Sequence, residues 1–240
     1  MQAVRQWLRD ASSIAVLTGA GVSAESGVPT FRGNNGLWKQ YRPEELATPA
    51  AFAHNPKLVW EWYDWRRSLI AEAKPNPGHY ALAEVEARAR KFTLITQNVD
   101  GLHELAGSRN VLRLHGSIWI TRCLDCKRER EDRRTPLPEI PPRCECGGML
   151  RPGVVWFGEP LPSNIWQQAE AAAREADLFL LIGTSAVVYP AAGLAPIAKS
   201  AGARVVEINI AESGLSAGRS GGIDEFLQGP SGELLPQLIA

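Results

Sequence analysis

Several things are scarce in this chain of 240 residues, and each scarcity excludes something. Net charge is absent, since 26 Lys and Arg offset 26 Asp and Glu. No strong positive field is therefore available to draw in nucleic acid or an anionic membrane surface. Long hydrophobic runs are missing too, and none approaches the roughly 20 residues a bilayer-spanning helix needs. The N-terminal stretch carries Arg5, Arg9 and Asp10 in an amphipathic pattern and lacks the uninterrupted apolar segment of a secretory signal. A soluble, cytoplasmic protein is expected. Cysteine and histidine are rare, with four of each, so chemistry that needs them has few places to sit.

Apolar residues make up 45% of the chain, enough to bury a full core in one domain or in a domain carrying a smaller insert. Strand candidates recur at Ile14-Leu17, Phe92-Thr96, Val111-Leu114, Leu178-Ile182 and Val205-Ile210, with helical stretches between most of them. Such alternation predicts an α/β fold, a Rossmann-like parallel sheet with helices on both faces. Asn55-Pro56 and Asn76-Pro77 each set a capping residue before a helix-starting proline, predicting helices near 56–72 and 77–90. A third is expected from Ser163 to about Arg174. Residues 34–76, helical and rich in tryptophan, and 121–150, rich in Cys, Pro, Arg and Glu, fall outside the alternation. They are expected to form a small second module, leaving 1–33, 77–120 and 151–240 to the sheet domain. A ligand cleft between the two follows, because sites favour domain boundaries and the carboxyl ends of parallel strands. Gly218 to Gly222 reads as a loop.

The apolar run Ile14-Ala15-Val16-Leu17 ends in Thr18 and then Gly19-Ala20-Gly21-Val22-Ser23-Ala24. This fits the loose G-x-G-x-x-G/A pattern, in which glycines let backbone approach a pyrophosphate at a helix N-terminus. A dehydrogenase would follow it about twenty residues later with a second strand ending in an acidic ribose reader. Gly33-Asn34-Asn35-Gly36 and Arg42-Pro43 stand there instead. The expectation is a dinucleotide held without the usual second strand, with Phe31 and Arg32 close behind the turn.

All four cysteines lie in one region: Cys123-x-x-Cys126, seventeen residues, then Cys144-x-Cys146. Two disulfides are the plain alternative, but a chain that is not secreted normally keeps its thiols reduced. Four thiolates closing a tetrahedral zinc site are favoured, in the manner of a zinc ribbon. With every position filled by sulfur and no histidine nearby, such a Zn2+ is structural and does not activate water. The charges between the pairs, Lys127 to Arg134, alternate in sign and carry no aromatic residue to stack on a base. They read as a solvated surface rather than a nucleic-acid site.

Several blocks in order, Gly19 to Gly33, Thr96-Gln97-Asn98-Val99-Asp100-Gly101-Leu102-His103, Leu114-His115-Gly116, Val154-Val155-Trp156-Phe157-Gly158-Glu159 and Gly183-Thr184-Ser185, resemble the signature motifs of the sirtuins. These are NAD-dependent protein-lysine deacylases, and the resemblance covers nearly the whole chain. The second cysteine pair departs from the family's usual C-x-x-C. The resemblance implies NAD as co-substrate and acyl-lysine peptides as partners; a monomer is expected, and the charge balance and lack of long apolar runs predict neither nucleic-acid nor membrane ligands. His115 is implied as general base, a role suited to an imidazole of ordinary pKa about 6.5. Asn98 is implied to order ribose hydroxyls and a water, and Asp100 to hold the nicotinamide carboxamide. Gly19, Ala20, Gly21, Ala24 and Gln97 belong to the implied NAD site. Phe31 would cover the reacting C1′ face and Arg32 would lie by the phosphates. Gly183, Thr184 and Ser185 would add a phosphate and ribose contact, Asn209 would reach the adenosine ribose, and Ser231 would sit near the adenine. Val154 to Gly158 resembles the segment that receives the peptide as an added strand; a plain buried strand is the competing reading.

Tyr63 and Arg66 stand at i and i+3 in Trp60-Glu61-Trp62-Tyr63-Asp64-Trp65-Arg66-Arg67, so both face one side of a helix. Read alone, such a tyrosine packs in a core and such an arginine snorkels or pairs with a carboxylate like Glu61. The Tyr-x-x-Arg nevertheless resembles the pair by which one sirtuin class recognises succinyl- and malonyl-lysine, and Ala47 matches a small residue that leaves room for the acyl group. Desuccinylation and demalonylation are expected to exceed deacetylation. The alternatives are an acetyl-preferring deacetylase, a protein ADP-ribosyltransferase, or a zinc-ribbon binding module on a degenerate nucleotide fold.

Overall fold

The computed structural model describes residues 1–31, 37, 42–216 and 222–240. Arg32, Gly33 to Gly36, and most of the Gly218 to Gly222 stretch lie outside the described residues. In chain order the elements are α1 (Gln2–Asp10), β1 (Ser13–Thr18), α2 (Gly21–Ala24), α3 (Pro43–Leu46), α4 (Pro49–His54), α5 (Pro56–Glu72), α6 (Pro77–Arg88), β2 (Lys91–Thr96), α7 (Leu102–Leu105), β3 (Val111–Arg113), β4 (Gly116–Cys123), β5 (Glu129–Glu131), β6 (Leu150–Val154), α8 (Ser163–Glu175), β7 (Leu178–Ile182), α9 (Leu194–Ser200), β8 (Arg204–Asn209), β9 (Glu225–Gln228) and α10 (Ser231–Ile239).

Six parallel strands form one sheet in the order β3-β2-β1-β7-β8-β9. Counted along this sheet alone the order is 3-2-1-4-5-6, the doubly wound arrangement. A second strand is thus present, contrary to the expectation that the fold would lack it. It is β2, paired with β1 from Ser13↔Lys91 to Thr18↔Thr96. The helical insert postpones it to residue 91, so a search twenty residues past the glycine turn cannot find it. Side chains alternate across the strands: Ile14, Val16, Leu94 and Leu180 meet Leu82, Val85 and Leu235 on one face. Ala15, Leu17, Ile95 and Leu181 meet Ala169, Ala173, Ala195 and Ala198 on the other. This period-two division is what a sheet covered on both faces requires.

A separate antiparallel sheet, β5-β4-β6, packs with α4 and α5 around a third apolar cluster that includes Phe52, Trp60, Ile118 and Leu150. It begins at Gly116 and ends at Val154, wider than the 121–150 span expected for the insert. Asn55 and Asn76 cap α5 and α6 by accepting from the backbone N–H of Leu58 (3.1 Å) and Gly78 (2.9 Å). Helix α5 is buried on two sides at once. Asp64 accepts from the Leu137 N–H, the Trp60 indole donates to the Leu150 carbonyl, and Arg67 donates to the Asp132 carbonyl, all toward the small sheet. Trp62, Tyr63 and Arg66 face the opposite way, into a cavity. Among the described residues no helix is long and apolar enough to cross a membrane.

Candidate active site

The cavity opens where the sheet changes winding direction, beyond the carboxyl ends of β1 and β7. In doubly wound folds this crevice is where ligands bind. Its volume is about 460 Å³, the size of a small-molecule site. Two loops form its floor and are locked backbone to backbone: the Gly19 N–H donates to the Ile182 carbonyl (3.0 Å) and the Gly21 N–H to the Gly183 carbonyl (2.8 Å). Gly183 has φ +59°, and a Cβ there would stand 2.5 Å from the Val22 nitrogen, so only glycine fits.

His115 follows the buried Leu114, whose N–H extends the β2–β3 pairing to the Thr96 carbonyl (2.9 Å). Gly116 turns the chain at φ +76°, where a Cβ would lie 2.2 Å from the Gly153 carbonyl oxygen. The His115 Nδ1 lies 3.0 Å from the Gln97 carbonyl oxygen. A carbonyl only accepts, so this contact puts the proton on Nδ1 and leaves Nε2 with a free lone pair. Burial lowers the His115 pKa, opposed by that hydrogen bond, so the neutral base persists below the ordinary imidazole range.

Asn98 is held from three directions. Its N–H donates to Thr96 Oγ1 (3.0 Å), and its amide nitrogen donates to the Gly19 carbonyl and to Ser23 Oγ (both 3.1 Å). Ser23 in turn donates to Asp100 Oδ2 (2.9 Å), and Oδ1 accepts from the Leu102 N–H (2.9 Å). Burial raises the Asp100 pKa, against those hydrogen bonds. Sequence reading does not single out Ser23, although it sits inside the glycine motif. Two buried histidines complete this layer, His79 at 3.4 Å from Ser23 Oγ and His103 at 3.0 Å from Thr18 Oγ1. Burial depresses their pKa values to about 4 and about 3.

Gly19, Ala20, Gly21, Phe31, Gln97, Asn98 and His115 line the cavity, as do Gly183, Thr184, Ser185 and Asn209. Gln97 donates to Thr184 Oγ1 (3.0 Å) and Asn209 to the Thr184 carbonyl (2.9 Å), tying the ends of three strands together. Ala47, Tyr63, Arg66 and Val154 through Gly158 form the far wall. Three expected residues are not in the walls. Ala24 lies on α2 outside the cavity lining, Asp100 spends both carboxylate oxygens internally, and Ser231 packs at the start of α10 beside Glu25, 3.5 Å away. Arg32 lies outside the described residues. Wall residues that sequence reading misses include Thr30, Leu161, Tyr189 and Glu212; they sit in loops whose approach to the strand ends is set only by the fold. In Val154 to Gly158, the Val155 N–H donates to the His115 carbonyl (3.0 Å) and that of Phe157 to the Ala47 carbonyl (2.9 Å). These donors pair with the protein's own backbone.

Arg66 is 7% exposed and Tyr63 3%. The guanidinium carbon lies 4.8 Å from the centroids of both the Phe31 and Trp62 rings and 5.8 Å from that of Tyr63. Among the described residues no carboxylate comes within ion-pair distance of Arg66, although sixteen other such pairs occur. Burial lowers its pKa from the usual guanidinium value, opposed by the field of Tyr63 and Asp100; arginine nonetheless stays cationic.

At the cysteine cluster the four sulfurs lie within 4.8 Å of one another, with Cys123 and Cys146 at 3.5 Å and Cys126 and Cys144 at 3.8 Å. A disulfide would need about 2.05 Å, whereas sulfurs about 2.3 Å from one tetrahedral ion stand about 3.8 Å apart. The short Cys144-x-Cys146 pair is accommodated by a tight turn: the Cys144 N–H donates to the Gly148 carbonyl (2.8 Å). A Cβ on Gly148 would lie 2.8 Å from the Cys123 sulfur. These residues fit a structural zinc ion. Charged residues between the pairs are matched by carboxylates, Arg128 and Arg130 by Glu145 within the second pair and Arg134 by Asp132.

Fold and site together define a doubly wound nucleotide-binding protein with a zinc-stapled second module. The Sir2 family profile matches residues 19–190, and the chain belongs to that family. An NAD-dependent protein deacylase of Aquifex aeolicus is 61% identical over 202 residues, 84% of each chain. NAD-dependent protein deacylase 2 of Pyrobaculum aerophilum is 55% identical over 98% of this chain and 93% of its own. A Sir2 homologue solved as an NAD complex superposes with a TM-score of 0.92 at 47% identity, covering 100% of this chain and 92% of its own. A Sir2 complex with a p53 peptide and NAD+ superposes at 0.88 and 29% identity, over 100% and 97% of the two chains.

Proposed function

We propose that this NAD-dependent protein deacylase removes succinyl and malonyl groups from lysine in preference to acetyl. Support for the reaction comes from the family and from the donor set at the strand ends; the acyl preference rests on one observation. Arg66 is a buried cation in the cavity wall, without a carboxylate of its own among the described residues, beside a buried phenol.

When bound, NAD would supply a ribose carbon that releases nicotinamide and takes the acyl oxygen; with one water consumed, the acyl group would depart as an ester on ADP-ribose and the lysine amine would be freed. The glycine turn and the Gly183-Thr184-Ser185 loop hold its phosphates and riboses, with Asn209 at the adenosine end. Asn98, fixed by Gly19 and Ser23, orients hydroxyls and a water, and Asp100 acts on it through Ser23. His115 accepts a ribose hydroxyl proton at Nε2 while the Gln97 carbonyl keeps Nδ1 protonated. Ala47 leaves room for the acyl chain, whose terminal carboxylate meets the Arg66 fork and the Tyr63 hydroxyl. A neutral acetyl group leaves that cation unpaired, and sites built for polar partners reject analogues that lack them.

The test is product analysis by mass spectrometry with NAD and matched acetyl- and succinyl-lysine peptides, alongside His115→Tyr. Loss of the succinyl group with O-succinyl-ADP-ribose and nicotinamide formed, abolished in the variant, is the expected result. Removal of acetyl alone would sink the acyl assignment, and protein gaining ADP-ribose would indicate transfer instead.

A further inference from the structure

Tyr63 has a neighbour that decides which way its hydroxyl serves. The Trp156 indole Nε1–H donates to Tyr63 Oη at 2.9 Å, across 93 residues of chain. An indole N–H is only a donor, so it fixes the phenol oxygen as acceptor in this bond and leaves its one proton to be donated elsewhere. Among the described residues the Tyr63 hydroxyl has no other hydrogen-bond partner, and its side chain lines the cavity with Arg66. The phenol is protonated at neutral pH, because burial raises its pKa against the opposing field of Arg66.

Trp156 is itself held firmly. The Arg151 guanidinium carbon lies 3.6 Å from its ring centroid, close enough for the cation to polarise the indole toward stronger donation. Arg151 is clamped in turn by Glu159, with Nη2 to Oε2 at 2.9 Å and Nη1 to Oε1 at 2.5 Å, and by the Val154 carbonyl (3.0 Å). Glu159 Oε2 also accepts from the Trp156 backbone N–H (2.9 Å). Glu159, Arg151, Trp156 and Tyr63 thus form a directional chain that ends at the acyl wall.

We propose that Trp156 is a positioning residue for acyl selectivity: its indole orients the Tyr63 hydroxyl proton toward the terminal carboxylate of the acyl chain, opposite Arg66. Without the indole, the phenol is free to present a lone pair, which repels a carboxylate. The inference rests on the dicarboxylic acyl preference proposed above. It assigns a task to the Trp156 side chain distinct from any backbone contact with peptide.

The experiment measures kcat and KM for matched succinyl- and acetyl-lysine peptides in wild type, Trp156→Phe, Tyr63→Phe and the double variant, with thermal unfolding checked for each. Phenylalanine keeps an aromatic ring near Arg151 and removes the donor along with one ring of the indole, and using the succinyl-to-acetyl ratio cancels any packing loss shared by both peptides. The ratio is expected to fall about tenfold in Trp156→Phe. The fall should come through the succinyl KM, because the carboxylate is remote from the reacting bond. In the Tyr63→Phe background the same change should have no further effect on the ratio. An unchanged ratio in Trp156→Phe, or an equal fall in both backgrounds, overturns the proposal while the dicarboxylic reading stands if Arg66→Met still lowers the ratio. A wild type without succinyl preference overturns both. Should Trp156→Phe not fold, Tyr63→Phe decides alone, and an unchanged ratio there overturns the proposal.

Discussion

The two walls of the cavity are built in different ways. The strand-end wall is made of backbone and small polar groups: Gly19, Gly21, Gly183, Asn98 and Gln97 are fixed by hydrogen bonds to neighbouring strand ends. The opposite wall is dominated by large side chains, Trp62, Tyr63 and Arg66 from α5 with Trp156 beside them. In the proposed function the first wall recognises features that every NAD molecule shares, and glycine geometry leaves it little room to vary. In the same proposal the second meets the acyl group, with a selectivity that depends on which side chains one helix presents. Chemistry and selectivity are therefore separable, and variants in one wall should leave the other's property in place.

The largest expected effect is on chemistry. His115→Ala should lower kcat/KM by about 10²–10⁴-fold for acetyl and succinyl peptides alike, measured by nicotinamide release; an effect on one acyl type alone would break the separation. Next is Arg66→Met, which should reduce the succinyl-to-acetyl ratio by about 10–100-fold, the worth of a hydrogen bond to a charged group, chiefly through the succinyl KM. A variant that keeps the wild-type ratio would show that the far wall does not select. Gly183→Ala forces a Cβ to within 2.5 Å of the Val22 nitrogen and strains a left-handed backbone, at a cost of about 1–3 kcal/mol. Its KM for NAD should rise by about tenfold with the acyl ratio intact, as read by NAD titration at fixed peptide.

The remaining predictions concern pH dependence. With His115 as the proposed base, its depressed pKa should place the acid limb of kcat/KM below the ordinary imidazole range. His79 and His103, at about 4 and about 3 when folded, lie below the unfolded value of about 6.5. The unfolded chain therefore binds more protons between these limits. The stability tied to these two groups is complete above pH 6.5 and falls as the pH drops toward 4 and 3. Each histidine removes about 1.4 kcal/mol for every pH unit between its unfolded and folded values. Denaturant midpoints measured from pH 7 to pH 4 should decline, and less steeply in His103→Gln.

Much of the strand-end wall was legible because its residues follow short apolar runs in local motifs: β1, β2, β7 and β8 announce themselves, and Asn55 and Asn76 mark the helices they cap. Other features are not local. Strand β9 has only Leu227 buried and carries no apolar run. Strand β6 contains Pro152 and Gly153, which disguise it as a turn. Asn98 and Asp100 look alike in sequence, yet only Asn98 reaches the cavity, because the Asp100 carboxylate turns inward to Ser23 and Leu102. Ser231 follows the end of β9 and opens a helix packed on α6 and close to Glu25. The Trp156–Tyr63 bond joins segments 93 residues apart, and no spacing rule brings them together.

The most direct test of the central claim is the ratio of kcat/KM for succinyl- to acetyl-lysine peptides of one sequence at saturating NAD, in wild type and Arg66→Met. A wild-type ratio well above one that collapses toward or below one in the variant is the predicted result. Comparable efficiencies in wild type, or a preference that survives loss of the guanidinium, would contradict the assignment of α5 as the selective wall.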